Sequence, residues 1–560
     1  MARVRVPGWV AGLVGAVVLV GVWWLFSLTA FRPQDGTSYT PVPSPWAVVD
    51  WLFVQGNIAG AWGVFQPTIT AAAIGYLWGN GIALLLATVV LVFPRTETVI
   101  TQIAVVTYCL PIVAVGGISI VVLGGAKNPG DPSATAIFLA ALVCVFTTVV
   151  GAILGFTSAD KAALDVVRVY GGGRWTQLRK VRLVAALPAI LTALQIAVPT
   201  AFLGAVLGEY LGAITAGVGP TLIRLQGQLV GVPAVRRVRP RRLRTVRPAH
   251  QTRHPVGGRK GGVSVHVIDT TPATPAASHV GTADPIAVAR LRAERRRGLR
   301  RTLLRSLGNA GITLLVLLLL WQAIVSLTGI SPYIAKGPLD VWTFLVTAPK
   351  AEANRAQMFP LVGQTLLDAW IGFVVGMLVA IVLAIAFSLS KAIEAGVMPL
   401  VLLLRTIPLV SIAPVIILVT GRGTPASVAV IGTVVVLFPA LANVLFGLSR
   451  ASQQSLDVVH VFGGGRFTAL RKVNLPGALP SVFAAARVSV PGAVTGALLA
   501  EWLSTGTGIG GSILKFNAQA QFAQLWTSIA LITLITLVLY NLVQIVENIV
   551  LARMGMAAGR

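Results

Sequence analysis

The stretch "ALDVVRVYGGGRWTQLRKVRLVAALP", Ala163 to Pro188, occurs twice in this chain of 560 residues. It returns at Ser455 to Pro480 as "SLDVVHVFGGGRFTALRKVNLPGALP", where 18 of the 26 positions are identical at a constant offset of 292. Self-similarity at one fixed offset is the sequence signature of a duplicated structural unit. We therefore predict that the chain contains two copies of the same domain, one after the other.

The correspondence extends over most of both halves, at offsets between 292 and 297. "AAAIGYLWGNGIALLLA" pairs with "DAWIGFVVGMLVAIVLA", and "IAVPTAFLGAVLGEYLGA" pairs with "VSVPGAVTGALLAEWLST". The residues placed opposite each other include Gly75 and Gly372, Gly79 and Gly376, Pro111 and Pro408, and Glu209 and Glu501. We predict a first domain at 1–232, a linker at 233–300 and a second domain at 301–560.

The composition is typical of a membrane protein. Hydrophobic residues make up 56% of the chain and charged residues 11%, with a mean hydropathy of +0.84, whereas soluble domains carry about 25% charged residues. A helix needs roughly 20 apolar residues to cross about 30 Å of hydrocarbon. The sequence predicts an all-α polytopic membrane protein with five to six helices in each copy. Eleven apolar runs are candidate spans: 8–30, 68–93, 99–123, 134–156, 189–212, 306–328, 364–388, 395–420, 426–448, 481–503 and 526–550.

The formal net charge of +27 is concentrated in short segments between and before the apolar runs. Arginine and lysine next to apolar helices are typical of loops on the cytoplasmic side of a membrane. The basic segments show no regular alternation of aromatic and basic residues and no known nucleic-acid-binding motif, which argues against a nucleic-acid partner. We expect both copies of the repeated passage, and both chain termini, to lie in the cytoplasm.

Between the two copies the sequence departs from the repeat. Where the second copy has a sixth apolar run, "LWTSIALITLITLVLYNLVQIVENIV", the first copy has ten Arg or Lys and no acid between Pro233 and Gly262. This segment cannot cross a bilayer, because each central Arg costs about 2.5–3.5 kcal/mol. Two explanations stay open: a shifted reading frame in the coding DNA, or an ordinary basic linker. Residues 213–232 would then either cross the membrane or enter it and return.

The repeated passage itself predicts two short helices joined by a bend. Asp165 suits the positive end of a helix dipole, and Gly171, Gly172 and Gly173 interrupt the helical pattern because glycine allows a sharp turn. The pattern favours a docking element for a soluble partner, although an amphipathic loop resting on lipid headgroups fits the composition equally well. No nucleotide-binding pattern of the type G-x-x-x-x-G-K-[ST] occurs in the chain. The apolar ridges on the two sides of the bend are Leu164, Val167 and Val169, and Trp175, Leu178 and Val181.

The passage resembles the cytoplasmic loop of permease subunits from binding-protein-dependent ABC importers. That loop has an acidic start, a central glycine and a Leu-Pro ending, matched here by Asp165, Gly171 and Leu187–Pro188, and again by Asp457, Gly463 and Leu479–Pro480. Both halves are more narrowly similar to the nitrate, taurine and aliphatic-sulfonate branch, through "VPSPWAVV", "RTIPLVSIAPVIIL" and "GTGIGGSI". One departure is Val184, which stands where the second copy has Pro476.

The resemblance implies a membrane subunit of a bacterial inner-membrane importer, and not an enzyme, for a small polar or anionic solute. Two ATPase subunits would bind the two loops and carry ATP and Mg²⁺, so that no cofactor is expected on this chain. A solute-binding protein would deliver the solute from outside. The residues that the resemblance places in the ATPase-coupling loops are Asp165, Arg168, Gly171, Gly172, Gly173, Arg174, Leu187 and Pro188, and Asp457, Gly463, Gly464, Gly465, Arg466, Leu479 and Pro480.

Ionisable residues and prolines within the apolar runs are candidates for the transport pathway: Glu209, Glu501, Asp368, Pro111 and Pro408. Charged groups in a membrane span are costly, and they are therefore usually functional. The alternative for the two glutamates is a helix-end carboxylate in the wet interface, bonded to nearby backbone. The alternative for Asp368, which lies opposite Ala71, is an interfacial anchor.

The prolines are expected to bend the third run of each copy, and the paired glycines to allow close helix packing. A second class of protein, a secondary transporter coupled to protons or sodium, would use the three carboxylates directly.

Overall fold

A computed structural model of the chain describes residues 42–126, 128, 130–211, 216–230, 314–327 and 329–554, together with a few residues within 17–29 and 308–312. Within these ranges the chain forms helices and no strands. Both copies of the repeat belong to one compact unit, made of Met1–Gln228 and Thr313–Arg560. A second unit, Leu229–Ile312, contains the predicted linker at 233–300, which lies outside the described residues. The domain boundaries therefore stay predictions.

The helices repeat as the sequence does, so that each helix from α1 to α9 has a counterpart ten numbers later. The first copy contains α1 Pro45–Val49, α2 Ile58–Val92, α3 Glu97–Cys109, α4 Ile112–Leu123, α5 Ala134–Thr157, α6 Lys161–Val169, α7 Arg174–Gln177, α8 Leu183–Leu211 and α9 Val218–Val230. The second copy follows α10 (Leu314–Leu327) and contains α11 Pro338–Trp342, α12 Ala351–Leu389, α13 Lys391–Thr406, α14 Leu409–Thr420, α15 Pro425–Ser449, α16 Gln453–Val461, α17 Arg466–Ala469, α18 Leu475–Ala500, α19 Gly508–Ala518 and α20 Phe522–Arg553. Short π-helical turns lie at Asp50–Val54, Leu178–Arg182, Thr343–Thr347, Leu470–Asn474 and Glu501–Thr505, and a 3₁₀ turn at Pro94–Thr96.

Seven continuous helices within the described ranges are long and apolar enough to cross a membrane: Ile58–Val92, Ala134–Thr157, Trp175–Leu211, Ala351–Leu389, Pro425–Ser449, Arg466–Thr505 and Phe522–Arg553. Each covers one of the eleven predicted runs. The predicted run 306–328 corresponds to the shorter apolar helix α10. The structure describes only a few residues of the predicted run 8–30.

The two remaining runs are broken at proline. The predicted run 99–123 is a bent pair, α3 and α4, whose axes meet at 90°. Pro111 stands at the break, with a backbone ψ of 113° that does not belong to a helix. The predicted run 395–420 is divided in the same way at Pro408, which precedes α14. The bend expected at Pro111 is confirmed as a sharp break between two short helices. At Pro408 the helix is interrupted, and the bend expected there stays a prediction.

Local sequence signals fix where the spans begin and end. The hydroxyl of Ser133 accepts a hydrogen bond from the Ala136 N–H at the start of α5, and Thr424 caps α15 through the Ser427 N–H. Such caps satisfy amide groups that have no partner within the helix. Helices α4 and α14 end at Gly124 and Gly421, whose φ angles of 79° and 90° favour glycine.

Small residues lie where the long helices cross. Helices α2, α5 and α8 pack together, and α12, α15 and α18 form the same bundle in the second copy. A Cβ atom placed on Gly372 would lie 2.8 Å from the Cα atom of Gly432 on α15, and Gly75 packs against Ala140 in the first copy. The glycines therefore bring helix backbones into contact, as their spacing predicted.

The two copies share one apolar core, to which counterpart residues of both copies contribute. Beside this core the rings of Tyr210 and Trp502, also counterparts, meet edge to face with centroids 4.6 Å apart. A contact between counterpart residues lies on the pseudo-two-fold axis that relates the copies. The buried counterparts in this core are Ile112 and Leu409, Val113 and Val410, Leu139 and Ile431, Leu207 and Leu499, and Leu211 and Leu503.

The sequence left open whether residues 213–232 cross the membrane or enter it and return. The described part of α9, Val218–Val230, has 13 residues and measures about 20 Å at 1.5 Å per residue. The residues after it lie outside the described ranges, so both alternatives stay predictions. The counterpart of α9, α19, has 11 residues and is followed by the long helix α20. By the same spacing, a sixth helix of the first copy would begin near residue 231, and the arginine-rich segment found there lies outside the described residues.

The crossing of α12 and α15 can be tested by adding volume to it. We expect Gly372→Val to lower the free energy of unfolding by about 1–3 kcal/mol, because the new side chain meets the Gly432 backbone. Thermal unfolding of the purified protein in detergent measures the effect. Gly363→Val, in the same helix with no atom within 4 Å of its Cβ position, is the matched control. Equal melting temperatures for the two variants would contradict the crossing.

Candidate functional site

The repeated passage folds into a helix that ends in a tight glycine turn. The Asp160 carboxylate accepts from the Ala162 N–H and caps α6. At the other end Gly171 adopts a φ of 75°, and the Gly172 N–H donates to the Val167 carbonyl at 2.8 Å. Residues with a side chain are strained at this φ. The second copy has the same turn. Ser452 caps its helix, Gly463 has a φ of 74°, and the Gly464 N–H donates to the Val459 carbonyl at 2.8 Å.

After the turn, the structure corrects the prediction of a second separate short helix. Helix α7, the π-helical turn and α8 form one continuous helix, Trp175–Leu211, of 37 residues. Leu187 and Pro188 lie within this helix, and Leu479 and Pro480 lie within α18. Proline is tolerated inside membrane helices because neighbouring groups satisfy the freed backbone. The turn is therefore joined to the span by one continuous helix, which is about 55 Å long at 1.5 Å per residue.

Each copy presents a group of exposed apolar side chains around the turn, which we call the apolar knob. All eight side chains are more than half exposed. Val169 and Trp175 were expected in the ridge, whereas the predicted ridge residues Leu164, Val167, Leu178 and Val181 are half-buried. Compact exposed apolar groups of this kind mark interaction sites. The knob of the first copy is Val166, Val169, Tyr170 and Trp175, and that of the second is Val458, Val461, Phe462 and Phe467.

The charges beside the two knobs differ. In the first copy Arg168 pairs with Asp165 at 3.3 Å, and both side chains are exposed. In the second copy Asp457 accepts from Gln453 at 3.1 Å, and His460 stands in place of Arg168. The structure thus places the predicted loop residues Asp165, Arg168, Gly171–Gly173, Asp457 and Gly463–Gly465 in or beside the knobs, and Arg174 and Arg466 at the start of the following helices.

A second repeated feature is a buried glutamate that holds the next helix, which we call the glutamate clamp. Glu209 is 1% exposed, and its Oε2 atom accepts from the Thr68 hydroxyl at 2.8 Å and from the Gly219 N–H at 3.1 Å. The Thr68 hydroxyl in turn accepts from the Val218 N–H at 3.0 Å. Both amides belong to the first turn of α9, where a carboxylate is favoured by unpaired N–H groups and by the helix dipole.

The second copy has the same clamp. Glu501 Oε2 accepts from the Thr365 hydroxyl at 2.9 Å and from the Gly510 N–H at 2.8 Å. The Thr365 hydroxyl accepts from the Ile509 N–H at 2.9 Å. Glycine is required beside each carboxylate, because a Cβ on Gly217 or Gly508 would lie within 3 Å of it and both residues have positive φ. The clamp therefore fixes α9 and α19 to the ends of α8 and α18.

The clamps show what Glu209 and Glu501 do in the fold. Both carboxylates are bonded to nearby backbone, as the helix-end alternative supposed, although they are buried and not at a wet interface. Their part in the transport pathway stays a prediction, as do those of Asp368, Pro111 and Pro408. The sequence alone did not reveal Thr68 and Thr365, yet the two lie opposite each other at the repeat offset of 297. Within the described residues, no group of three or more His, Cys, Asp or Glu could hold a metal ion.

Comparisons with known proteins assign the class of protein that this fold and these repeated sites define. The family described as binding-protein-dependent transport system inner membrane component matches the chain twice, at residues 79–230 and 372–556. The two segments make up more than half of the chain, and each contains one apolar knob and one buried glutamate. The chain belongs to this family.

Several relatives are about half as long as this chain. A probable ABC transporter permease protein of Haemophilus influenzae is 31% identical over 225 residues, which are 40% of this chain and 89% of that protein. The riboflavin transport system permease protein RibX of Chloroflexus aurantiacus is 27% identical over 42% of the chain and 87% of its own length. The putative aliphatic sulfonates transport permease protein SsuC of Bacillus subtilis is 23% identical over 42% of the chain and 83% of its own length.

These matches, with the duplicated structure, show two permease domains in tandem in one chain. The chain is therefore a multi-pass membrane subunit of an ABC transporter and not itself an enzyme, and ATP hydrolysis belongs to a separate subunit.

The clamps can be tested by removing the threonine hydroxyls. We expect Thr68→Val and Thr365→Val each to cost about 1–3 kcal/mol of stability, because a buried carboxylate and a buried amide each lose a partner. Thermal unfolding in detergent and amide exchange in α9 and α19 measure the loss. Thr70→Val is the control, since its hydroxyl bonds only the preceding turn of its own helix at Gln66. Unchanged exchange in both short helices would contradict the clamp.

Proposed function

We propose that this chain supplies both membrane halves of an ATP-driven, binding-protein-dependent importer for a small polar or anionic solute of the sulfonate, taurine or nitrate class. The observation that carries the proposal is the pair of apolar knobs, one in each copy at the same four positions. Two equivalent exposed surfaces on one chain suit two copies of one partner, or two related partners, placed about the same pseudo-two-fold axis. The partners would be two ABC ATPase subunits, which carry ATP and Mg²⁺.

The composition of the knobs favours a protein partner over lipid. Interface anchors are enriched in tryptophan, tyrosine and other aromatic residues, and the knobs contain Tyr170, Trp175, Phe462 and Phe467. Helices that lie on lipid headgroups instead carry Lys or Arg on their polar face. Helix α16 of the second copy contains Asp457 and no Lys or Arg, which argues against the headgroup alternative for that copy, whereas its counterpart α6 contains Lys161 and Arg168.

The continuous helix from knob to clamp suggests how movement would reach the pathway. The knob residue Trp175 begins the helix that ends at Leu211, beside Glu209 and Tyr210. In the second copy the helix Arg466–Thr505 joins Phe467 to Trp502. When the ATPase pair closes on ATP, the knobs would move together, and each rigid helix would carry that movement to the contact between Tyr210 and Trp502. This contact and the apolar core beside it would separate the two sides of the membrane.

The membrane orientation and solute class are proposed on sequence grounds. The basic segments favour a cytoplasmic position for the knobs and both termini under the positive-inside rule. The clamps would then lie toward the outside, where a solute-binding protein would deliver its cargo. The relatives are named for sulfonates, taurine, nitrate, riboflavin and formylaminopyrimidine, all of them small polar or anionic solutes. We propose residues 1–232 and 301–560 as the two permease domains, with 233–300 as the linker. The ion-coupled alternative is not proposed, because the chain belongs to the family of binding-protein-dependent transport components.

The function can be tested through the knobs. We expect Tyr170→Ser with Trp175→Ser, or Phe462→Ser with Phe467→Ser, to weaken binding of the ATPase subunit that co-purifies with the wild-type chain. Loss of one aromatic anchor costs about 2 kcal/mol or more, so each double variant should lose roughly a hundredfold or more in affinity. ATP-dependent solute uptake by reconstituted vesicles should fall with it.

Trp78→Ser is the matched control, because Trp78 is equally exposed but lies on α2, away from both knobs. It should leave ATPase binding unchanged. Uptake at full rate without nucleotide or companion subunit would contradict the proposal, as would normal ATPase binding by both double variants.

A further inference from the structure

The second clamp contains a carboxyl group that the first clamp lacks. Asp368 lies on α12 one turn after Thr365, and its counterpart in the first copy is Ala71. Asp368 is buried, and its carboxyl group lies next to that of Glu501, whose Oε2 atom bonds the hydroxyl of Thr365 one turn before Asp368 on α12. In the first copy nothing but the methyl group of Ala71 stands at this position, so Glu209 has no carboxyl neighbour there.

The other oxygen atoms of the pair already have donors. Asp368 Oδ1 accepts from the Gln364 amide at 3.2 Å, and Glu501 Oε2 accepts from the Thr365 hydroxyl and the Gly510 N–H. The two atoms left, Asp368 Oδ2 and Glu501 Oε1, are buried and have no hydrogen-bond partner among the described residues. Two acceptor atoms can bond each other only if one of them carries a proton.

No positive charge in the described surroundings can take the place of that proton. Helices α13, α15, α18, α19 and α20 pack against α12, helices α14 and α15 pack against the turn Glu501–Thr505, and α4 of the first copy packs on α19. Helices α4, α14 and α15 contain no charged residue. Like charges in contact cannot both persist away from water, so such pairs share a proton. Arg487 on α18 pairs with Glu547 at 3.4 Å, lies with Tyr540, and precedes Glu501 by about 20 Å of helix. Lys391 pairs with Glu394 at 2.6 Å at the start of α13, beyond the far end of α12. The other described charged groups on these elements are exposed Lys515 on α19, exposed Arg422 between α14 and α15, Arg553 at the far end of α20, and Glu352 and Arg355 at the start of α12.

We propose that Asp368 and Glu501 bind a single proton between them, which makes the second clamp a proton-binding site that the first copy does not have. The proton joins α12 to the end of α18 and thereby supports the docking of α19 on the clamp. This site is a property of the fold and holds whichever solute the protein transports.

The site gives the docking of α19 a definite dependence on pH. If α19 leaves the clamp, water enters and both carboxyl groups ionise above about pH 5, as free carboxylic acids do. The docked state then holds one more proton than the open state. Docking is therefore favoured at low pH and becomes weaker as the pH rises, by up to about tenfold per pH unit for a difference of one proton.

Hydrogen exchange in the full-length protein in detergent tests the proposal. Amide protection in α19, corrected for intrinsic exchange chemistry, is measured between about pH 6 and 8 for wild type, Asp368→Asn and Asp368→Ala. We expect wild-type protection to fall by up to about tenfold per pH unit. Asp368→Asn should remove this slope, because the asparagine amide donates to Glu501 without needing a shared proton. Asp368→Ala copies the arrangement of Ala71 and should give α19 the pH profile of α9.

Exchange in α9 is the internal control, because its clamp is untouched and its profile should be the same in all three proteins. The asparagine variant preserves side-chain size, so it keeps the test decisive if the alanine variant fails to fold. Wild-type protection in α19 that does not change with pH would overturn the proposal, as would a slope in Asp368→Asn equal to that of the wild type.

Discussion

The structure depends on one constraint, which is that a carboxylate buried in an apolar helix bundle has to find hydrogen-bond donors. An unpaired charge at this depth costs several kcal/mol. Glu209 and Glu501 find their donors in a threonine hydroxyl from another helix and in the first amides of the helix that follows. Those amides have no partner within their own helix, so the carboxylate accepts hydrogen bonds from them and they supply the donors that it needs. The chain is thereby made to turn back after α8 and α18.

This turn also positions the contact between the copies. Tyr210 and Trp502 directly follow the clamp glutamates, and their rings meet on the pseudo-two-fold axis. The apolar core beside them is made of counterpart residues from both halves. The duplication therefore does more than provide two similar domains, since it creates one shared interior in which each half completes the other. The two halves differ in the charges beside the knobs, in Asp368, and in the sequence that stands opposite helix α20.

The sequence predicted the features that depend on local pattern or on the repeat. Apolar length identified the spans, and proline marked the break in α3–α4, because these signals act over a few residues. The offset of 292 located both knobs. Sequence reasoning was wrong about the segment after the glycine turn, because the Leu187–Pro188 pair suggested the start of a span. The helix instead begins near Arg174 and accommodates Pro188 in its interior.

The clamps could not be predicted, for a reason of distance along the chain. Thr68 and Glu209 are 141 residues apart, and a lone threonine in an apolar run carries no signal of its partner. The central claim is that both halves of one chain enclose a single closed interior about the axis. The most direct test places Tyr210→Cys and Trp502→Cys in a chain with Cys109→Ala and Cys144→Ala, and joins the thiols with a short bifunctional reagent. We predict a cross-link within one chain that stops uptake. Absence of the cross-link, or its formation only between chains, would contradict the account.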